Sequence, residues 1–260
     1  MTAASNTAAI RPSADDLAAP PTPAATTTAI FADLDGTLAE IEPTPDEVVP
    51  DPARRRLLAE LSLALDGRLA VISGRGLDDL DRVLEGQVRA VGAVHGLVRR
   101  TAAGVVLAPG RDPRIARAVA ACDALAARHR GLLVEDKGAA TSLHFRLAPD
   151  VADECRALAR RLADEQGLLI QPGDMVVELR APGPDKGDAV TAFMTEPPFE
   201  GATPIFIGDD ITDEDGFRAA EALGGYGVVV GPRRPTLARY ALADVTSVQA
   251  WLGTMLESAA

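Results

Sequence analysis

Asp33-Leu34-Asp35-Gly36-Thr37 sets two carboxylates two positions apart, directly after the apolar run Ala29-Ile30-Phe31-Ala32. On an extended chain the side chains at i and i+2 point the same way, so both acids reach one substrate. Gly36 lets the chain turn away sharply. Such a pair suits one carboxylate as nucleophile and the other as acid/base. A second acidic loop, Gly208-Asp209-Asp210-Ile211-Thr212-Asp213-Glu214, follows the apolar run Pro204-Ile205-Phe206-Ile207. One acidic loop alone is a common solvated turn; two at the ends of apolar strands are not. Asp33, Asp35, Asp209 and Asp213 meeting in one crevice repel one another unless a cation or protons neutralise them. An all-oxygen donor set without His or Cys selects a hard cation, and a few carboxylates plus water suit Mg²⁺.

Ser73-Gly74-Arg75 follows a third apolar run, Leu69-Ala70-Val71-Ile72. A hydroxyl there and an ammonium from Lys186 would hold phosphate oxygens and offset charge in the transition state. The chain uses Lys sparingly: of 26 basic residues only Lys137 and Lys186 are lysines. A compact ammonium is chemically distinct from a planar guanidinium, which marks both positions as candidate sites.

The elements that must present these loops are legible from periodicity. Short apolar runs at 29–32, 69–72, 88–91, 204–208 and 228–230 read as buried parallel strands. Helical stretches at 52–65, 77–84, 188–195, around Phe217 to Leu223 and near 248–256 alternate with them, and Trp251 in the last is a packing residue. The loops that follow these strands lie at the sheet edge where ligands bind in open α/β folds. From about 104 to 182 the rhythm changes to helix, hairpin, helix, hairpin, with helices at 115–126 and 151–162 and the second hairpin turning at Pro172-Gly173-Asp174. That is an α+β pattern with antiparallel strands and two helices on one face. The predicted fold class is therefore α/β, a Rossmann-like parallel-sheet core with an inserted α+β domain. The expected division is 1–27 as a disordered Ala/Pro/Thr-rich tail, 28–103 with 183–260 as the core, and 104–182 as the insert.

Composition excludes several classes. The 260 residues are 47% hydrophobic and 25% charged, the pattern of a folded soluble protein. A formal net charge of −12 argues against nucleic-acid or basic membrane-surface binding. No run reaches the length of a spanning helix, and the N-terminus lacks a secretory pattern, so a cytoplasmic protein is expected. Cys122 and Cys155, outside any Cys/His cluster, read as buried helix residues, without zinc.

As a set, Asp33-Leu34-Asp35-Gly36-Thr37, Ser73, Lys186 and Gly208-Asp209-x-x-x-Asp213 resemble, in order, the four motifs of the haloacid dehalogenase superfamily of phosphotransferases. The resemblance implies Asp33 as nucleophile forming an aspartyl-phosphate, with Asp35 as acid, then base. It implies Mg²⁺ held by Asp33, the Asp35 carbonyl and Asp209, with Asp213 nearby. Leu34, Ser73, Gly74 and Lys186 would line the phosphate. Ser73-Gly74-Arg75, Gly92-Ala93-Val94-His95-Gly96, Val134-Glu135-Asp136-Lys137-Gly138, Leu143-His144-Phe145-Arg146, Val177-Glu178-Leu179-Arg180 and the second acidic loop are similar to those of trehalose-6-phosphate phosphatases. The similarity spans roughly 29–250. It departs at Ala181, where the family usually has Pro; here Pro182 follows.

This resemblance implies hydrolysis of trehalose 6-phosphate by a monomeric enzyme, with the insert as a cap that closes over the substrate. Arg75, Glu135, Lys137 and Glu178 would bind the sugar. His95 either lines the sugar pocket or is a satisfied loop histidine. His144 and Arg146 read as packing or ion-pair residues, and His129 as a helix-end cation. Another sugar phosphate, such as sucrose 6-phosphate or mannosyl-3-phosphoglycerate, would use the same core. A non-catalytic sugar-phosphate sensor is the alternative of another class.

Overall fold

Alternate residues of β1 (Thr28–Ala32) face opposite sides of a sheet, and both sides are apolar. Ile30 and Ala32 point into one hydrophobic cluster, Ala29 and Phe31 into another. A strand buried on both faces needs helices above and below it, which is the condition that parallel βα units satisfy. The structure is a computed structural model that describes residues 17–257 apart from 111, 174 and 234.

The larger sheet holds eight strands in the order β12-β11-β10-β1-β2-β3-β4-β5. β2 (Leu69–Ile72), β3 (Ala90–Ala93), β10 (Thr203–Gly208), β11 (Tyr226–Val230) and β12 (Tyr240–Leu242) run parallel with β1. α1 (Pro52–Ala64), α2 (Leu77–Leu84) and α7 (Val245–Glu257) contribute Leu58, Leu61, Leu80, Trp251 and Met255 to one face. α5 (Lys186–Met194) and α6 (Asp213–Ala222) contribute Val190, Phe193 and Phe217 to the other. Phe31, Phe193 and Phe199 pack there with ring centroids as close as 5.4 Å.

β4 (Val98–Arg100) and β5 (Val106–Leu107) continue this sheet as an antiparallel edge. Neither was expected from the sequence, because three half-buried residues and two exposed ones are too short a stretch to show a strand pattern. The larger sheet thus reaches Leu107, past the expected boundary at 104.

The second sheet has the order β6-β7-β9-β8, all antiparallel, from β6 (Leu133–Asp136), β7 (Ala140–His144), β8 (Leu169–Gly173) and β9 (Val176–Arg180). Pro172 and Gly173 are strand residues rather than the turn, and Asp174 lies outside the described residues. α3 (Pro113–Ala126) and α4 (Ala152–Gln166) cover one face through Ile115, Cys122, Cys155 and Leu162. Both cysteines are buried on helices, as expected. Alternation along β9 sends Val177 and Leu179 to those helices and Glu178 and Arg180 to the opposite face.

The expectation of a disordered tail to residue 27 is corrected from Leu17 onward; residues 1–16 lie outside the described residues. Ala25 is buried, Arg68 donates to the carbonyls of Ala25 and Thr26, and the Ala241 N–H bonds the Ala18 carbonyl. The Trp251 indole N–H donates to the Pro21 carbonyl at 3.1 Å, so Trp251 has a polar partner as well as packing. Composition misleads here because the segment's backbone is satisfied by side chains from distant elements rather than by its own periodic structure. A chain beginning at Thr27 is expected to lose about 4 kcal/mol, at roughly 1 kcal/mol for each hydrogen bond removed. Urea denaturation reads this directly, and an unchanged midpoint would show that the packing contributes nothing.

Candidate active site

β1 and β10 are neighbours in register, with Ala32 opposite Ile207. The Asp33 N–H bonds the Ile207 carbonyl at 2.9 Å, so Asp33 and Asp209 leave the sheet side by side. Asp213 opens α6, with its Oδ2 accepting the Asp210 N–H at 2.8 Å. One carboxylate oxygen from each of Asp33, Asp209 and Asp213 lies within 4.8 Å of the other two. Lys186, at the start of α5, is 1% exposed and sends Nζ to Asp33 Oδ2 at 2.9 Å and to Asp213 Oδ1 at 2.7 Å. A capping box between Asp185 and Asp188 fixes that helix start. Gly36 has φ +74°, and a Cβ there would overlap the Asp209 carboxylate. Only glycine fits both the turn and the approach.

Two buried carboxylates and one half-buried one around a single ammonium leave excess negative charge. Burial pushes Asp33 up to about 7, against the pull of Lys186 and with help from Asp213 and Asp35. Burial, Asp33 and Asp213 push Asp209 up to about 8. Asp213 is also raised, by burial. For Lys186, burial opposes the charge, but Asp213 and Asp33 outweigh it and hold the ammonium well above its ordinary value. A set of hard oxygens this close together, short of positive charge, fits a divalent cation.

The other core residues sit at the same strand ends. Ser73 is buried, with its carbonyl accepting the His95 N–H at 2.9 Å. The Leu34 side chain is buried and its N–H is spent on Asp33 Oδ1 at 2.7 Å. Asp35 lies outside the carboxylate cluster: both its oxygens are held by Arg75, from Nε and from Nη2, at 2.7 Å each. Arg75, expected at the sugar, lines the cleft that holds Glu135 and Lys137, and its guanidinium bonds Asp35, Asp79 and the Pro45 carbonyl. Two carboxylates outweigh the cost of its burial and raise its pKa.

The insert brings its candidates onto this crevice. Lys137 Nζ donates to the Gly74 carbonyl at 2.8 Å and to Glu178 Oε2 at 2.6 Å, and stands 3.6 Å from Glu135. Burial opposes its charge, yet Glu178 and Glu135 raise its pKa. Glu178 also accepts from Ser142 Oγ at 2.8 Å, and its pKa is lowered because Lys137 outweighs burial. His95 Nε2 lies 3.4 Å from Glu178 Oε1; burial drives its pKa down to about 3, so the ring is neutral. His144 pairs with Glu135 at 3.0 Å and His129 with Glu154 at 3.1 Å. Glu135, Lys137, His144 and Arg146 share a cleft of about 170 Å³ with Asp35 and Arg75. Sequence reasoning missed Ser142 and Asp79. Ser142 stands two residues before His144 on β7, and Asp79 four residues beyond Arg75, spacings that were available to find them.

A parallel sheet with acids at the ends of β1 and β10, and an insert folded over them, is the fold of haloacid dehalogenase-like hydrolases. Residues 31–246 match the family model described as trehalose-phosphatase. The chain is 41% identical over 227 residues to a probable trehalose-phosphate phosphatase of Sinorhizobium fredii, covering 86% of this chain and 85% of that one. It is 41% identical over 224 residues to the trehalose-6-phosphate phosphatase of Escherichia coli, covering 85% and 84%. Among solved structures, a trehalose-6-phosphate phosphatase related protein superposes with a TM-score of 0.76 at 26% identity, over 88% of this chain and 97% of that one. The chain belongs to the trehalose-phosphatase family.

The raised carboxylates have a measurable consequence. Between the ordinary value of 3.8 and about 7 for Asp33, or about 8 for Asp209, the folded protein holds protons that the unfolded chain has released. Stability from these groups therefore falls as pH rises through that window. With a chelator present, the thermal midpoint is expected to drop between about pH 5 and about pH 8, and a millimolar divalent cation to restore it mainly at the upper end. Equal cation effects at both pH values would sink the assignment.

Proposed function

We propose that this protein hydrolyses trehalose 6-phosphate to trehalose and phosphate with Mg²⁺. The observation that carries the reading is Lys137: one ammonium from the insert touches Glu178 and the backbone of the Ser73-Gly74-Arg75 loop together. Groups suited to sugar hydroxyls thus stand beside groups suited to a phosphate. Charged and amide hydrogen-bonding sites reject analogues that leave them unpaired.

Asp33, Asp209 and the Asp35 carbonyl would hold Mg²⁺, with Asp213 behind them. The cation supplies positive charge that keeps Asp33 ionised and offsets charge on the phosphoryl oxygens. The Asp33 carboxylate attacks phosphorus, and the bond from phosphorus to the sugar O6 breaks. Asp35 delivers its proton to that oxygen, and trehalose leaves. Asp35, now a carboxylate, takes a proton from water as the water oxygen attacks phosphorus. The Asp33–phosphorus bond breaks, and phosphate leaves. Lys186 and Ser73 hold the non-bridging oxygens throughout, while Lys186 also keeps Asp33 and Asp213 in place.

Phosphate release from a panel of sugar phosphates, with and without Mg²⁺, tests the substrate; equal turnover of all would overturn the specificity claim. Asp33→Asn is expected to abolish turnover while leaving thermal unfolding cooperative. Glu178→Gln is expected to lower kcat/KM for trehalose 6-phosphate at least about tenfold more than for p-nitrophenyl phosphate, since it weakens a buried charged partner of Lys137. Equal losses would make Glu178 structural.

A further inference from the structure

A general acid must be held where the leaving oxygen departs, and the loop that carries Asp35 does not do this by itself. Among the described residues, the hydrogen bonds to the Asp35 carboxylate come from Arg75 alone, one to each oxygen. The side chain is 34% exposed and forms part of the cleft wall. Its position is thus set by the position of the Arg75 guanidinium.

That guanidinium is fixed from behind. Nη1 donates to the Pro45 carbonyl at 2.9 Å and to Asp79 Oδ2. Asp79 lies in the first turn of α2, four residues beyond Arg75. Its other oxygen accepts two bonds from Arg82, from Nε at 3.0 Å and from Nη2 at 2.6 Å. Arg82 Nη1 in turn donates to the Val48 carbonyl at 3.1 Å. Charges alternate along Asp35, Arg75, Asp79 and Arg82, with two anchors on the 45–48 segment that walls the cleft. A two-pronged grip on a carboxylate depends on the plane of the guanidinium. Asp79 is the charged group that sets that plane from the side away from Asp35.

We propose that Asp79 is a positioning residue for phosphoryl transfer, acting through Arg75 to hold the Asp35 carboxyl group at the leaving oxygen and to stabilise the carboxylate that forms as its proton passes to that oxygen. The proposal rests on the reading of Asp35 as the acid/base. It also reassigns Arg75 from sugar contact to support of the acid. Asp79 meets neither substrate nor cation; its effect is transmitted by one hydrogen-bonded pair. Positional errors of about 1 Å at a reacting group cost on the order of 100-fold.

The leaving group separates this role from a structural one. A sugar alkoxide needs a proton as it departs, whereas p-nitrophenolate departs without one. The measured quantity is kcat/KM, which ends at leaving-group release and excludes hydrolysis of the aspartyl-phosphate. Asp79→Asn is expected to lower kcat/KM about 10–30-fold on the alkyl phosphate that the wild type hydrolyses fastest, and less than about twofold on p-nitrophenyl phosphate. Arg75→Lys, which cannot grip both oxygens, is expected to lose about 100-fold on the alkyl phosphate with the same asymmetry. Asp79→Glu keeps the carboxylate and is expected to stay within about threefold of wild type. Asp81→Asn, on the same helix but paired with Arg100, is expected to match wild type on both substrates.

Equal losses on the two substrates, or no loss for Asp79→Asn on the alkyl phosphate, would overturn the proposal. If Asp79→Asn fails to fold, Asp79→Ser read on the same two substrates decides the question. The substrate reading is judged separately, by which alkyl phosphate the wild type prefers, so a failure there and a failure of the positioning role are distinguishable.

Discussion

Everything at this crevice is organised by unbalanced buried charge. Parallel pairing of β1 with β10 forces Asp33 and Asp209 to emerge together, and α6 adds Asp213. Lys186 compensates only part of the charge, through its ion pairs with Asp33 and Asp213. The rest of the site follows from this constraint. Gly36 is required because Asp209 occupies the space its side chain would need. The capping box at Asp185 is required because the ammonium must sit at a helix start that does not fray. A fold that brings like charges this close is stable only if its sheet is well covered, and apolar packing on both faces of β1 supplies that cover.

The two lysines of a chain otherwise built with arginine occupy equivalent situations. Each is buried, and each bridges acceptors from separate parts of the chain: Asp33 with Asp213, and Glu178 with Gly74. A point-like ammonium at the end of a slim stem fits between acceptors where a planar fork would need coplanar partners. Arg75 shows the converse, with a flat carboxylate gripped edge-on.

What the sequence disclosed was whatever depends on short-range pattern. Apolar runs ended at Asp33, Ser73 and Asp209, and the structure puts strand ends there. The antiparallel insert followed from helical and hairpin spacing in the same way. What stayed hidden depends on distant partners. The Leu17–Thr27 segment lacks periodicity because α7, β12 and Arg68 hold its backbone. β4 and β5 are too short to carry a pattern. The resemblance implied a sugar contact for Arg75, but Asp35, 40 residues away, decides where its guanidinium goes. No spacing rule contains that information.

The bond from Lys137 to the Gly74 carbonyl has a consequence for how selectivity is expressed. On the proposed sugar role of Lys137, recognition and reaction would be joined by a single side chain. A molecule with the wrong hydroxyl pattern would disturb Lys137, and the disturbance would pass directly to the turn beside Ser73. Discrimination would then surface in the speed of turnover as well as in the strength of binding, and an impostor that managed to occupy the cleft would still be processed slowly.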